Sequence, residues 1–226
     1  MSVRIPVTDR KPGEVALEGR HVRLAPIAWP EPGEALCQMM AAQPAALWDY
    51  MLWGPFEGPK DVEAVLRARQ GDGKIMVLFG PQDEVMGTAS FLRIRPEHGS
   101  AELGSIAYGA AMQRSPAGTE AMLLMMRHVF DDLSYRRCEW KCHAENQRSI
   151  KAAERLGFTF EGIHRQDLIA KGKNRDTAWF SILDSEWPER RAALEAWLDQ
   201  ANFDAAGQQR QPLGAFIGGP YRISSL

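Results

Sequence analysis

No stretch of the 226-residue chain approaches the roughly 18 consecutive apolar residues that a membrane span needs. The opening MSVRIPVTDRKPGEV has no apolar signal region, so a cytoplasmic protein without a membrane partner is expected. Cysteine is scarce. Cys37, Cys138 and Cys142 are an odd number without C-x-x-C spacing, which argues against a disulfide framework or a zinc site and leaves three small buried hydrophobes. No charge sign dominates, with 27 Lys plus Arg against 29 Asp plus Glu. No global field therefore attracts nucleic acid or anionic lipid, and any anion must be gripped locally. Neither G-x-G-x-x-G nor a P-loop lysine motif occurs, which weakens a nucleotide-binding reading, and there is no internal repeat. What is present is 45% apolar and 25% charged residues, the balance of an ordinary folded domain.

Periodicity and chain breakers predict the order strand, two helices, three strands, helix, strand, helix, two strands, helix. Residues 1–19, rich in Pro, Gly and charge, read as an arm, 20–200 as one mixed α/β domain, and 201–226 as a tail, mobile or reaching a partner. The expected strands are 21–24, 74–79, 85–95, 101–108, 136–143, 158–170 and 175–183, the last two around a turn at 171–174. The expected helices are 34–42, 59–70, a long one from 116 to about 133, 146–156 with Gly157 just past its end, and 187–200. In 136–143, alternation puts Cys138, Trp140 and Cys142 on one face.

Two strand-to-helix junctions carry chemistry. Residues 113–121, QRSPAGTEA, present first-turn amides that no helical carbonyl satisfies, at the positive end of the macrodipole, which is an anion site. An ordinary helix start with Pro116 in its first position is the competing reading, of equal weight. At the second junction Asn146 stands where an N-cap belongs and Ser149 follows on the same side, against the plainer reading of a cap and a buried serine.

In that combination and order, the chain resembles the GNAT superfamily of acyl-coenzyme A dependent N-acyltransferases over roughly residues 22–183. Within it, the chain is similar to the branch that includes the ribosomal-protein N-terminal acetyltransferases. The resemblance rests on AELG at 101–104, the 113–121 turn, the Asn146-x-x-Ser149 start, Leu156-Gly157-Phe158, and NRDT at 174–177. It implies one α/β domain with a twisted, mostly antiparallel sheet of about seven strands, a splayed parallel central pair (101–108 and 136–143) and helices on both faces. It further implies acetyl-coenzyme A or coenzyme A as co-substrate, and no metal. The pantetheine arm would lie along the backbone of Ser105, Ile106, Ala107 and Tyr108. The phosphates would meet Gln113, Arg114, Ser115 and the amides of Ala117, Gly118 and Thr119, with Asn146, Ser149 and Arg155 completing the site. For Arg155, as for Arg148 and Lys151, a solvated helix face is the plainer reading. Pro116 occupies the place of the usual middle glycine and removes one N–H donor.

The same resemblance makes Glu102 the base, acting through water, provided burial raises its pKa. Alternation would set it on one face with Gly104, Ile106 and Tyr108, and an ion-paired strand glutamate is the competing reading. Ser149 would serve the leaving thiolate, with Tyr108 in reserve, because Ala153 stands where many relatives carry a tyrosine. Trp48, Tyr50, Trp53 and Phe56 would wall the amine pocket or form a satellite core, with equal weight. Lys173 and Arg175 would suit an acidic acceptor or a succinyl carboxylate. The expected activity is acyl transfer, acetyl by default and succinyl as the alternative, to a protein N-terminus, a lysine or a small amine. No nucleic-acid partner is expected and a homodimer is compatible. A degenerate coenzyme-binding sensor or assembly module is the alternative, motivated by Pro116 and Ala153.

Overall fold

A computed structural model describes residues 8–71 and 73–218. Eight strands, β1 (Leu17–Glu18), β2 (Arg23–Pro26), β3 (Gly73–Phe79), β4 (Val85–Arg95), β5 (Ser100–Tyr108), β6 (Arg137–His143), β7 (Thr159–Ala170) and β8 (Lys173–Leu183), form one sheet in the order β1-β2-β3-β4-β5-β6-β8-β7. The helices are α1 (Gly33–Ala41), α2 (Pro59–Arg69), α3 (Pro116–Arg127), α4 (Gln147–Arg155) and α5 (Trp187–Leu198). Neighbouring strands run antiparallel except β5 and β6, whose parallel pairing needs the crossover that α3 supplies.

Alternation decides which helices cover which face. Ile75, Val77 and Phe79 of β3 pack with Leu36, Cys37 and Met40 of α1 and Val62 and Leu66 of α2. Met76 and Leu78 point the other way, into the larger core with Cys138, Trp140 and Cys142 of β6 and the apolar residues of α3 and α5. All three cysteines are free and buried, as small hydrophobes should be. The long helix expected to run to residue 133 ends as α3 at Arg127 and continues as one wider turn over His128–Asp132. The β7–β8 turn is tighter than expected. Lys171 (φ 50°) and Gly172 (φ 74°) make a two-residue reversal, so β8 starts at Lys173.

The eighth strand, one more than expected, is β1, inside the segment read as an arm. Two residues suffice because Glu120 of α3 pins the following turn: its carboxylate accepts the backbone N–H groups of Arg20 (2.9 Å), His21 (2.6 Å) and Val22 (3.1 Å). Residues 201–218, expected to be mobile or to reach a partner, fold back onto α5 instead. The Asn202 amide donates to the carbonyls of Trp197 (3.0 Å) and Gln211 (3.2 Å), and Leu213 and Ile217 join the main core. Residues 1–7 and 219–226, the rest of the expected arm and tail, lie outside the described residues.

The centre of the sheet is where regularity stops. β5 and β6 pair only from Ser100 with Arg137 to Leu103 with Trp140; beyond that Gly104–Tyr108 and Lys141–His143 are not paired with each other. Facing β4, the register skips one residue of β5, from Ser90 opposite Gly104 to Thr88 opposite Ala107. The extra residue sits at Ser105, whose φ is +52°. This bulge overturns strict alternation. Tyr108 is turned to the α3 side, away from Glu102, and its hydroxyl donates to the Gly118 carbonyl at 3.1 Å.

Candidate active site

The gap between β5 and β6 opens into a cavity of about 1210 Å³. Glu102 stands where the gap begins, the last turn inward before the strands part. Its carboxylate is 5% exposed, with Oε2 2.9 Å from Lys141 Nζ and 3.9 Å from Arg93 Nε. Burial pushes this carboxyl above the ordinary glutamate range, Lys141 draws it partly back, and neighbouring Glu139 pushes it up again. Glu139 is itself held by Arg95 (2.8 Å) and Arg137 (2.9 Å), which keeps a second buried carboxylate tolerable beside the first. Lys141 and Arg93 both lie over the Trp179 ring, 4.9 and 5.1 Å from its centre. The competing reading of Glu102 as an ion-paired strand residue is thus realised, in a place that also lines the cavity.

Across the gap, the start of α4 supplies a hydroxyl. Asn146 caps the helix by accepting the Ser149 N–H at 3.1 Å, and the Trp140 indole N–H donates to Ser149 Oγ at 3.0 Å. With a lone pair occupied in this way, the Ser149 O–H is directed to donate elsewhere. The adjacent Cys142 thiol is pushed up chiefly by burial and stays protonated, so it is a poor nucleophile.

At the far end lies the α3 start. Ser115 precedes it without a side-chain cap, its hydroxyl donating instead to Met112 O at 2.7 Å, so the first-turn amides keep their free donors. Arg114 turns the chain there with φ +58°. Gly118 faces the cavity, and a β-carbon on it would sit 3.2 Å from the Tyr108 ring. Arg155 of α4 closes this end: its guanidinium donates to Thr119 Oγ1 at 2.7 Å and lies over the Trp197 ring.

The cavity gathers most of the residues singled out in the sequence. Glu102, Ser105, Ile106 and Tyr108 line it from β5, Arg114, Ser115 and Gly118 from the α3 start, and Asn146, Ser149 and Arg155 from α4. Others fall outside it. Ala107 is packed against the α1 and α2 core, Ala117 and Thr119 are buried in the helix, and Gln113 turns back to donate to Tyr108 O at 2.9 Å. The aromatic quartet divides. Tyr50 and Trp53 line the cavity, whereas Trp48, 1% exposed, stacks edge-on with Phe56 as satellite core. Sequence reasoning missed Arg69, Arg93 and Lys141, which also line it, along with Phe203, Gln208 and Gln209 from the C-terminal segment. The β6 alternation Glu139, Lys141, His143, opposite the buried cysteines, was the available sign for Lys141. Nothing in the sequence marks Arg93, whose place depends on a positive φ of 44°.

A strand pair that parts beside a buried carboxylate, ending at an uncapped helix start, fits an extended thioester carrier: free backbone groups on β5 for an amide-rich arm and donors at α3 for its phosphates. Among the described residues no helix is long and apolar enough to cross a membrane. Comparison with known proteins agrees with the site. Residues 23–159 match the family described as Acetyltransferase (GNAT) domain. A GCN5-related N-acetyltransferase from Brucella melitensis is 42% identical, superposing with a TM-score of 0.87 over 91% of this chain and 96% of that one. An uncharacterized N-acetyltransferase p20 of Bacillus licheniformis is 34% identical over 116 residues, 50% of this chain and 64% of its own. The match thus spans just under two thirds of that relative's length. A ribosomal-protein-serine acetyltransferase of Escherichia coli is 29% identical over 125 residues, 54% of this chain and 68% of its own. With the matched region, the parted strands and the helix-start anion site all in one place, the chain belongs to the GNAT acetyltransferase family.

Proposed function

We propose that this protein transfers an acetyl group from acetyl-coenzyme A to a primary amine by direct attack, with both reactants held in the β5–β6 gap. The observation that carries this reading is the pair of groups facing each other across the gap: the buried Glu102 carboxylate on β5 and, at the start of α4, the Ser149 hydroxyl oriented by Trp140. An amine is protonated at neutral pH and must lose a proton before it attacks. Glu102, raised by burial, accepts that proton, directly or through a water, at a pH where an ordinary glutamate is a weaker base. Ser149 donates its hydroxyl proton in a hydrogen bond to the departing sulfur. The carrier itself supplies the activated acyl group. Ser105 and Ile106 offer backbone groups to its amide arm, and Arg114, Ser115, Gly118 and Arg155 hold its phosphates. Tyr108, tied to Gly118, braces that turn rather than serving as the acid. Orientation within the gap supplies much of the acceleration.

The test is thiol release by the full chain, with acetyl- and succinyl-coenzyme A as donors against N-terminal peptides, lysine peptides and small amines. Turnover on any amine with acetyl-coenzyme A supports the reading. Tight coenzyme binding with no turnover on any donor and amine establishes the second reading, a coenzyme-binding module, which Pro116 and the fully buried Ala153 in the place of a tyrosine favour.

A further inference from the structure

The walls of the cavity beyond Glu102 are unusual in charge for a site that must admit an amine. Arg69, Arg93, Lys141 and Arg175 all line it. Lys141 is committed to Glu102 at 2.9 Å, and Arg93 bridges Glu102 and Glu139 at 3.9 and 3.6 Å. Arg175 is different. Among the described residues it has no carboxylate within 4.0 Å and no side-chain hydrogen bond, although it is half-buried and its Nε is fully withdrawn from solvent. Its nearest charged neighbours, Asp167 and Glu102, act on it only at longer range. The other carboxylates on the cavity wall are Asp49 and Glu145, beside the pocket of Lys171 and Lys173. Arg69 likewise has no ion-pair partner and rests over the Trp53 ring at 5.1 Å.

A half-buried guanidinium without a partner loses hydration and gains nothing in return, unless something that enters the cavity repays it. The planar fork of arginine matches a carboxylate or phosphate edge with two parallel hydrogen bonds. A polycationic amine would meet this ring of positive charge as repulsion. Resting on the acyl-transfer reading, we propose that the acceptor is an amine that also carries an oxyanion, a carboxylate or a phosphate, and that Arg175 receives this anion while the amino group faces Glu102. Arg69 and Arg93 flank the anion, and the aromatic rings of Tyr50 and Trp53 cover the carbon chain between the two charges.

The experiment uses the full chain, acetyl-coenzyme A and matched acceptors: amino acids of increasing chain length with their carboxamides, 2-aminoethyl phosphate with ethanolamine, and spermidine. The anionic member of at least one pair is expected to exceed its neutral twin in kcat/KM by about 10- to 100-fold, the range of a charge-assisted hydrogen bond. The carboxylate and phosphate pairs tell the two anions apart. Arg175→Gln should bring the ratio within a few-fold of one, and Arg175→Lys should hold an intermediate value. Acetyl-coenzyme A affinity of each variant reports that it has folded. A preference for carboxamides or spermidine, or an acid preference that survives Arg175→Gln, overturns the proposal. So does an Arg175-dependent gain seen only when succinyl-coenzyme A replaces acetyl-coenzyme A, since the anion then belongs to the donor. Calorimetric binding of the same amines to the coenzyme A complex separates this proposal from acyl transfer. Arg175-dependent binding without turnover keeps the anion site and removes the enzyme, while turnover of neutral amines without charge preference does the reverse.

Discussion

Glu102 is asked to be a base while lying 2.9 Å from an ammonium group, and the two demands are reconciled by burial. Desolvation raises the carboxyl more than Lys141 lowers it, so it titrates above the ordinary glutamate range and still ionises. Because the deprotonated form is the active one, kcat/KM should climb with pH through that raised value. Glu102→Gln should lower kcat by about 10²- to 10³-fold and remove this limb of the profile, with acetyl-coenzyme A affinity measured in parallel. Lys141→Met takes away the charge that holds the carboxyl down, so the limb should move to higher pH by about one unit or more. A limb that stays in place would show that another group titrates. Opposite, Ser149→Ala should lower kcat about tenfold, the loss of one hydrogen bond to a charged partner. Trp140 acts only by holding that hydroxyl, so adding Trp140→Phe to Ser149→Ala should cost kcat nothing further, whereas additive losses would give the indole a role of its own. Glu102 and Ser149 were legible because each sits in a short motif with fixed spacing. Arg93 and Arg175 were not placed as cavity groups by any spacing, since their positions come from strand pairing and a bulge.

At the scale of elements, the site exists because the sheet is imperfect. A regular ladder would consume the β5 backbone groups from Gly104 to Tyr108, and the bulge at Ser105 turns them out of register. The left-handed conformation there costs a serine modestly and a β-branched residue more. Ser105→Val should therefore destabilise the fold by about 1–3 kcal/mol, read as the unfolding midpoint in denaturant, and should weaken acetyl-coenzyme A binding as well. A stable variant with unaltered coenzyme affinity would remove the bulge from the binding argument. The elements themselves were largely readable, because their punctuation is chemical: Pro116 opens α3, Asn146 caps α4, and Gly157 at φ +89° ends it. The bulges at Ser105 and Arg93 carry no glycine or asparagine to announce them. Alternation was therefore carried through β5 unbroken, and Tyr108 was expected on the wrong face.

Across the whole molecule, the C-terminal segment joins stability to ligand binding through separate residues. Composition made 201–226 look unstructured, because a segment that packs by a few anchors has no periodicity to show. Leu213 and Ile217 are buried in the main core, and Arg190, 3% exposed, donates to Gly218 O at 3.0 Å. Phe203, Gln208 and Gln209 from the same segment reach the Arg155 end of the cavity, where Gln209 accepts the Trp197 indole N–H at 2.9 Å. These two duties should come apart by mutation. Leu213→Ala leaves a hole in the core and should cost about 2–4 kcal/mol, seen as a lower melting temperature. It touches nothing in the cavity, so acetyl-coenzyme A affinity at temperatures well below melting should hold. The pair Gln208→Ala and Gln209→Ala, in a stretch that is exposed, should barely move the melting temperature and should weaken acetyl-coenzyme A binding several-fold, as loss of one or two neutral hydrogen bonds does. If the core variant alone weakened coenzyme binding, or the glutamine pair left it intact, the segment would be a packing element and the phosphate end of the cleft would be built by α3 and α4 alone.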